Sequence, residues 1–314
     1  MTEDEMVDER RGFLKCMAWA GTGALFSVAG GIPTSFGLDQ ALAATPKGLA
    51  TASFNFLQLS DSHIGFAKPA NPDARATFRE AVAKVIALPQ KPDFIIHTGD
   101  ITQLSRDQEF DDADQIMKEM GIEVFHVPGE HDMLDPEGGK AYAARFGRGK
   151  TTGGWFSFDH KGVHFVGLVN VADLKPGGMG NLGKAQLDWL KQDLGARHAS
   201  TPIVVFAHIP LWTVYREWGW GTDDGAEALK LLARFGSVTV LNGHIHQIVQ
   251  KVEGHMAFHT ARSTAFPQPA GGTAPSPGPV TVPPGQLRSM LGITSASFVR
   301  GTERIALIDS TLAG

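Results

Sequence analysis

Carboxylates and imidazoles are not spread evenly along this chain but gather in five short clusters. These are Asp61-Ser62-His63, Gly99-Asp100, Gly129-Glu130-His131-Asp132, His208 within Ala207-His208-Ile209-Pro210, and Gly243-His244-Ile245-His246. Oxygen and imidazole donors without sulfur suit Mn, Fe, Zn or similar ions rather than a structural thiolate zinc. The single cysteine, Cys16, excludes both internal disulfides and thiolate metal sites. In an extended segment, residues two apart point the same way, so Asp61 with His63, and His244 with His246, are expected to reach one cavity. The glycines before Asp100, Glu130 and His244 are expected to let the backbone turn tightly into it.

Each cluster closes an apolar, β-branched or aromatic run, at residues 54–59, 94–98, 122–127, 203–207 and 238–241. Open α/β sheets place their sites beyond such strand ends. A helical pattern over 74–88, with Phe78, Val82, Val85 and Ile86 at helical spacing, and another over 107–120, closed by Gly121, alternate with the first three runs. That β-α-β alternation predicts parallel strands with helices outside. A hairpin at 155–159 and 163–170, a helix at 184–197, and strands at 248–252, 255–260, 289–298 and 304–309 follow. The fold class expected is α/β, with two packed sheets between helices. Residues 267–286 are rich in Pro and Gly and read as a fixed surface flap, because proline lowers the entropy cost of ordering a loop.

The chain has 314 residues, 42% hydrophobic and 19% charged, ample for a sizeable core. Its net charge of -5 falls mostly on residues 1–44, leaving a nearly neutral body with no basic run. Nucleic acid and anionic lipid are therefore not expected as main partners. Arg10-Arg11 precede an apolar, Gly- and Ala-rich stretch at 16–32, and Ala41-Leu42-Ala43 offers a cleavage site. Residues 1–44 resemble a twin-arginine (Tat) signal peptide, including the Phe13-Leu14-Lys15 that follows the pair. That resemblance implies a periplasmic or secreted protein, metal loading before export, and no stable membrane anchor after cleavage. An anchor reading is weakened by glycines at 21, 23, 30 and 31 and by the shortness of the stretch.

From Asp61 to His246 the five clusters resemble the signature of the calcineurin-like metallophosphoesterases, D-x-H, G-D, G-N-H-D/E, a lone H, and G-H-x-H. The resemblance implies one domain over 45–314, a four-layer α-β-β-α sandwich of two mixed sheets flanked by helices. It also implies two divalent or mixed-valence metal ions. Asp61, His63 and His246 would hold one ion, Asp100 would bridge, and Glu130, His208 and His244 would hold the other. Two cations about 3.5–4 Å apart supply a metal-activated hydroxide and clamp the phosphoryl oxygens of a phosphate ester. His131 matches the histidine that stabilises developing charge and protonates the leaving oxygen. Asp132 either orients His131 or is a surface carboxylate. Glu130 departs from the family's Asn and brings an added negative charge to the second metal. Relatives with a tyrosine-iron chromophore carry Tyr three residues after the bridging Asp, where this chain has Gln103.

The expected activity is a phosphodiesterase or phosphatase on a small molecule, with oligomeric state undetermined. A nuclease of the same superfamily and a non-catalytic metal-binding module are the alternatives. Trp212, Tyr215 and Arg216 in the loop after His208 are candidates for substrate contact, against a reading in which the loop's aromatics, Trp218 and Trp220 included, anchor it to the body. His97 and His126 read as hydrogen-bonded strand residues, and His160, His164, His198 and His255 as surface residues. His259 reads as a pocket-rim candidate.

Overall fold

In the computed structural model the backbone is described at Ala24–Ala29, Ile32–Gly37 and residues 52–148, 153–299 and 305–313, with side chains from Phe54 onward. Strands β1 (Ala24–Ala29) and β2 (Ile32–Gly37) pair as an antiparallel hairpin in a separate N-terminal unit. The arginine pair and the Ala41-Leu42-Ala43 site expected to direct export lie outside the described residues. Among the described residues, no helix is long and apolar enough to cross a membrane.

The remaining strands, in order, are β3 (Ala52–Leu59), β4 (Phe94–His97), β5 (Val124–His126), β6 (Phe156–His160), β7 (Val163–Gly167), β8 (Ile203–Phe206), β9 (Val238–Asn242), β10 (Gln250–Glu253), β11 (Met256–Thr260), β12 (Gly292–Val299) and β13 (Ala306–Thr311). The helices are α1 (Ala74–Ile86), α2 (Asp107–Lys118), α3 (Lys140–Phe146), α4 (Gly183–Gly195), α5 (Gly225–Leu232) and a single turn, α6 (Leu287–Met290). One sheet has the order β13-β12-β3-β4-β5 and the other β10-β11-β9-β8-β7-β6. Both are mixed: β3, β4 and β5 run parallel, as do β7, β8, β9 and β11, while β12, β13, β6 and β10 are antiparallel additions.

Three apolar layers hold the sandwich. Leu57, Leu59 and Ile95 of the first sheet pack against Phe78, Val82, Val85, Phe110 and Ile116 of α1 and α2. Val166, Val205 and Val240 of the second sheet meet Leu190, Leu194 and Leu232 of α4 and α5. Between the sheets lies an aromatic layer of Phe54, Phe56, Phe94, Phe125, Phe165 and Phe206, with Phe56 and Phe94 stacked at 5.3 Å and Phe165 standing edge-on to both. Each buried ring contributes about 1.5–3 kcal/mol of transfer free energy, so this layer fixes the separation and registry of the sheets. The four-layer α-β-β-α sandwich of two mixed sheets expected from the sequence is the fold found.

Local readings need correction in four places. α3 and α5 went unread because seven or eight residues give too short a window for helical periodicity. The strand expected over 289–298 begins at Gly292, since residues 287–290 close a helical turn first. His164 is not a surface residue: it is fully buried, with Nδ1 2.9 Å from Asp159 and Nε2 2.7 Å from Asp193. His259 is not at a pocket rim, because it is buried against Asp309 at 3.1 Å.

Candidate metal centre

The five clusters meet where β3, β4, β5, β8 and β9 end. The turns after β3 and β4 are tied side by side, Asp61 N donating to Gly99 O at 3.0 Å and His63 N to Asp100 O at 2.9 Å. Contrary to the expectation from their spacing, the D-x-H and H-x-H segments are not extended. Asp61, His63, Asp100, His244 and His246 all have φ between 41° and 70°, in the left-handed region. A non-glycine residue there costs about 1–2 kcal/mol, and such strain gathers at functional sites. Each left-handed residue folds the chain back, so Asp61 and His63 still face one point, by a curled path. Gly129 is required by proximity rather than by turning, since a Cβ on it would stand 2.1 Å from Asp100 Oδ1.

Two donor groups result, Asp61, His63 and His246 on one side and Glu130, His208 and His244 on the other. In the first, His246 Nε2 lies 3.2 Å from Asp61 Oδ1 and 3.3 Å from His63 Nε2. In the second, Glu130 reaches both imidazoles, with Oε2 3.0 Å from His208 Nε2 and Oε1 2.9 Å from His244 Nδ1. Asp100 Oδ2 stands between the groups, 3.4 Å from His63 Nε2 and 3.4 Å from His208 Nε2. The imidazoles are held from behind: His246 Nδ1 donates to Phe266 O at 2.6 Å and His208 Nδ1 to Thr98 O at 2.7 Å, which leaves each Nε2 as a lone-pair donor toward the centre.

The electrostatics fit a cation. Burial would raise the Asp61 carboxyl, yet His246, His208 and His63 hold it well below the usual carboxylate range. Burial and the Glu130 charge act likewise on Asp100, and His208, His131 and His63 outweigh them. Glu130 is held low as well, with burial overcome by His244 and His208. His63 is pushed down to about 3, chiefly by burial. Burial also disfavours charge on His208, but the carboxylates of Asp100 and Glu130 raise it well above the imidazole range. Three carboxylates held below their usual range around buried imidazoles concentrate negative charge that a cation would relieve. Although Glu130 stands within 3.0 Å of both imidazoles, the atoms are not aligned as hydrogen bonds, so His208 Nε2, both nitrogens of His244 and Glu130 Oε2 are buried unbonded, as metal donors are before they bind. The residues therefore fit a pair of oxygen- and nitrogen-ligated ions.

The His131 side chain borders the centre, near His63 and Asp100, without a hydrogen bond to either. Its ring is edge-on to His63 at 4.9 Å, and its backbone N donates to Asp100 Oδ1 at 2.9 Å. Its Nδ1 donates to Gln103 O at 2.7 Å, because a carbonyl can only accept, and this leaves Nε2 to face a ligand. Burial disfavours its charge, but Asp100, Glu130 and the Gln103 carbonyl raise its pKa. Asp132 neither orients the His131 ring nor lies on the surface. It is fully buried and accepts from the backbone N of Ile101 (3.0 Å), Thr102 (2.9 Å) and Gly129 (3.0 Å), clamping the second cluster to the third. Burial and the nearby Asp100 push its carboxyl up to about 7 against those donors.

The remaining candidates make other contacts. His97 is buried and bonds Ser62 Oγ at 3.1 Å, and burial lowers it to about 4. Buried His126 lies 3.4 Å from Met117 Sδ and stacks on Phe146. Trp212 packs edge-on to Phe258 at 4.9 Å, and Arg216 is exposed and paired with Asp223 at 3.1 Å. Tyr215 lies against Gly271 and Gly272 of the Pro/Gly-rich loop. That loop is tied to the centre by Gln268 Nε2, which donates to His244 O at 3.1 Å, a contact without a periodic or compositional signal in the sequence.

Comparison with known proteins agrees with this geometry. The chain is 26% identical over 199 residues to the 3',5'-cyclic adenosine monophosphate phosphodiesterase CpdA of Haemophilus influenzae, covering 62% of this chain and 70% of the relative. It is 24% identical over 222 residues to the probable glycerophosphodiester phosphodiesterase GpdQ of Arcobacter nitrofigilis, covering 66% and 77%. Its fold matches that of a dimetal phosphatase from Danio rerio with a TM-score of 0.63 at 14% identity, over 82% of this chain and 98% of that one. Residues 54–248 match the calcineurin-like phosphoesterase family. That span opens in β3 and closes just past His246, taking in every one of the clustered donors, and the chain belongs to this family of metal-dependent phosphoesterases.

Proposed function

We propose that the chain is an exported, dinuclear-metal phosphodiesterase of a small molecule. The observation that carries the dinuclear reading is the place of Asp100 Oδ2, equidistant at 3.4 Å from an imidazole of each donor group. Asp61, His63 and His246 would hold one ion, Glu130, His208 and His244 the other, and Asp100 both. When bound, two such ions supply Lewis acidity to the phosphoryl oxygens and lower the pKa of a water. Asp100 keeps Oδ1 for the His131 amide, so its other oxygen faces the centre in a fixed orientation. His131 holds a proton at Nε2, within reach of a leaving oxygen, while Gln103 O fixes its ring. Support for a diester substrate comes from relatives named as phosphodiesterases of a cyclic nucleotide and of glycerophosphodiesters.

The test is metal content beside turnover of bis(p-nitrophenyl) phosphate and p-nitrophenyl phosphate. The wild type should bind two equivalents and prefer the diester. Glu130→Ala should lose about one equivalent, since neither carboxylate oxygen then fills the second group, whereas Glu130→Asn should keep two. Two tightly held equivalents in Glu130→Ala would remove Glu130 from the ligand set.

Export rests on the Arg10-Arg11 pair, which is recognised as an address rather than as bulk charge. Arg10→Lys with Arg11→Lys should leave the precursor in the cytoplasm on fractionation. Unchanged export of that variant would point to another route.

A further inference from the structure

A file of buried polar side chains runs beneath Asp61. Ser60 Oγ donates to Asp61 Oδ2 at 2.5 Å, Thr98 Oγ1 donates to Ser60 Oγ at 2.7 Å, and Gln58 Nε2 donates to Thr98 Oγ1 at 3.0 Å. Gln58, Ser60, Asp61 and Thr98 are each at most 1% exposed. A hydroxyl carries one proton, so the file runs in one direction, amide to hydroxyl to hydroxyl to carboxylate. Among the described residues, the Thr98 hydroxyl has one other acceptor, Leu59 O, at a long 3.4 Å. The far end is anchored in the other sheet, where Gln58 Nε2 also donates to Asn242 O at 3.1 Å. Asn242 ends β9 and leads through Gly243 to His244 and His246. Gly243 admits the file, since a Cβ there would stand 2.1 Å from Ser60 Oγ.

We propose that Ser60, Thr98 and Gln58 form a positioning relay for Asp61, which aims one of its oxygens at the metal shared with His63 and His246. The proposal rests on the dinuclear reading above. With Oδ2 taken by Ser60, Oδ1 is the oxygen turned to His246, 3.2 Å from its Nε2. A carboxylate so fixed offers a cation one oxygen in one orientation. The His244 backbone N also donates to Asp61, 3.1 Å from Oδ1 and 3.2 Å from Oδ2, but it treats the two oxygens alike, so the Ser60 hydroxyl is what makes them unequal. Polar groups this deep are costly unless fully bonded, and apolar side chains of equal size would fill the space at no such cost. Their presence beside a ligand is accounted for by what they do to that ligand. Losing such an outer partner lowers metal affinity by about 10–100-fold.

Ser60→Ala removes the hydroxyl that bonds Asp61, while Thr98→Ser keeps the hydroxyl behind it. The experiment is calorimetric titration of the metal-free full chain with Mn²⁺, beside thermal melting of the same metal-free samples. Ser60→Ala should weaken one of two sites by about 10–100-fold and leave the other within about threefold. Thr98→Ser should bind as the wild type does. In a Glu130→Ala background, which removes the other site, the Ser60→Ala loss should persist on the site that remains. Unchanged affinity in Ser60→Ala overturns the relay. Equal weakening of both sites with a lowered metal-free melting temperature also overturns it, because the hydroxyl would then serve only the fold. A wild type that takes up one equivalent refutes the dinuclear reading instead, and the Ser60→Ala effect on that one equivalent still decides the relay.

Discussion

Asp100→Asn is expected to abolish phosphodiester turnover, lowering kcat by more than about 10³-fold, with the fold retained. The amide has the shape of the carboxylate, and its oxygen can still accept from the His131 backbone N, now 2.9 Å from Oδ1. What it lacks is charge at the position 3.4 Å from both His63 and His208. A neutral group there no longer balances two cations, and if its NH₂ faces the centre it opposes them. Metal content should fall below two equivalents, while circular dichroism and the metal-free melting temperature stay near wild type. Near wild-type kcat in Asp100→Asn would end the two-metal assignment.

His131→Ala should separate chemistry from metal binding. The side chain borders the donors without hydrogen-bonding to them, and its ring is held by Gln103 O at 2.7 Å. Both metal equivalents should therefore remain, with kcat lower by about 10²–10⁴-fold, the range of a positioned proton donor. The loss should be greatest for diesters with alkyl leaving groups, which need a proton to depart, and smallest for p-nitrophenolate, which does not. A loss of equal size across leaving groups would remove His131 as proton donor. Loss of a metal equivalent would make it a ligand.

The order and type of the donors were legible because each closes an apolar run, and apolar runs of β-branched and aromatic residues are the strongest local signal a strand has. That punctuation marked the five clusters, the resemblance to the metallophosphoesterases picked out Asp61, His63, Asp100, Glu130, His208, His244 and His246 within them, and the structure brings all seven together. The layered fold was legible for the same reason, since alternating βα units allow few ways to bury both faces of a sheet.

Backbone conformation at the centre was not legible. Five of the seven donors are left-handed, a state no side-chain pattern announces, because tertiary contacts rather than local preference stabilise it. Burial of polar residues was hidden for a related reason. Asp132 and His164 are of types common on surfaces, and partners distant in sequence, Ile101 and Thr102 for one and Asp193 for the other, join the nearby Gly129 and Asp159 to satisfy them inside. The relay under Asp61 is the extreme case: Gln58, Ser60 and Thr98 look like ordinary strand residues until two sheets meet. Residue type and spacing along the chain thus determined which chemistry the protein carries. Which oxygen of Asp100, and which nitrogen of His208 and of His246, faces the centre was decided by hydrogen bonds to partners distant in the chain, Asp100 to His131, His208 to Thr98 and His246 to Phe266, and these exist only once the chain has packed.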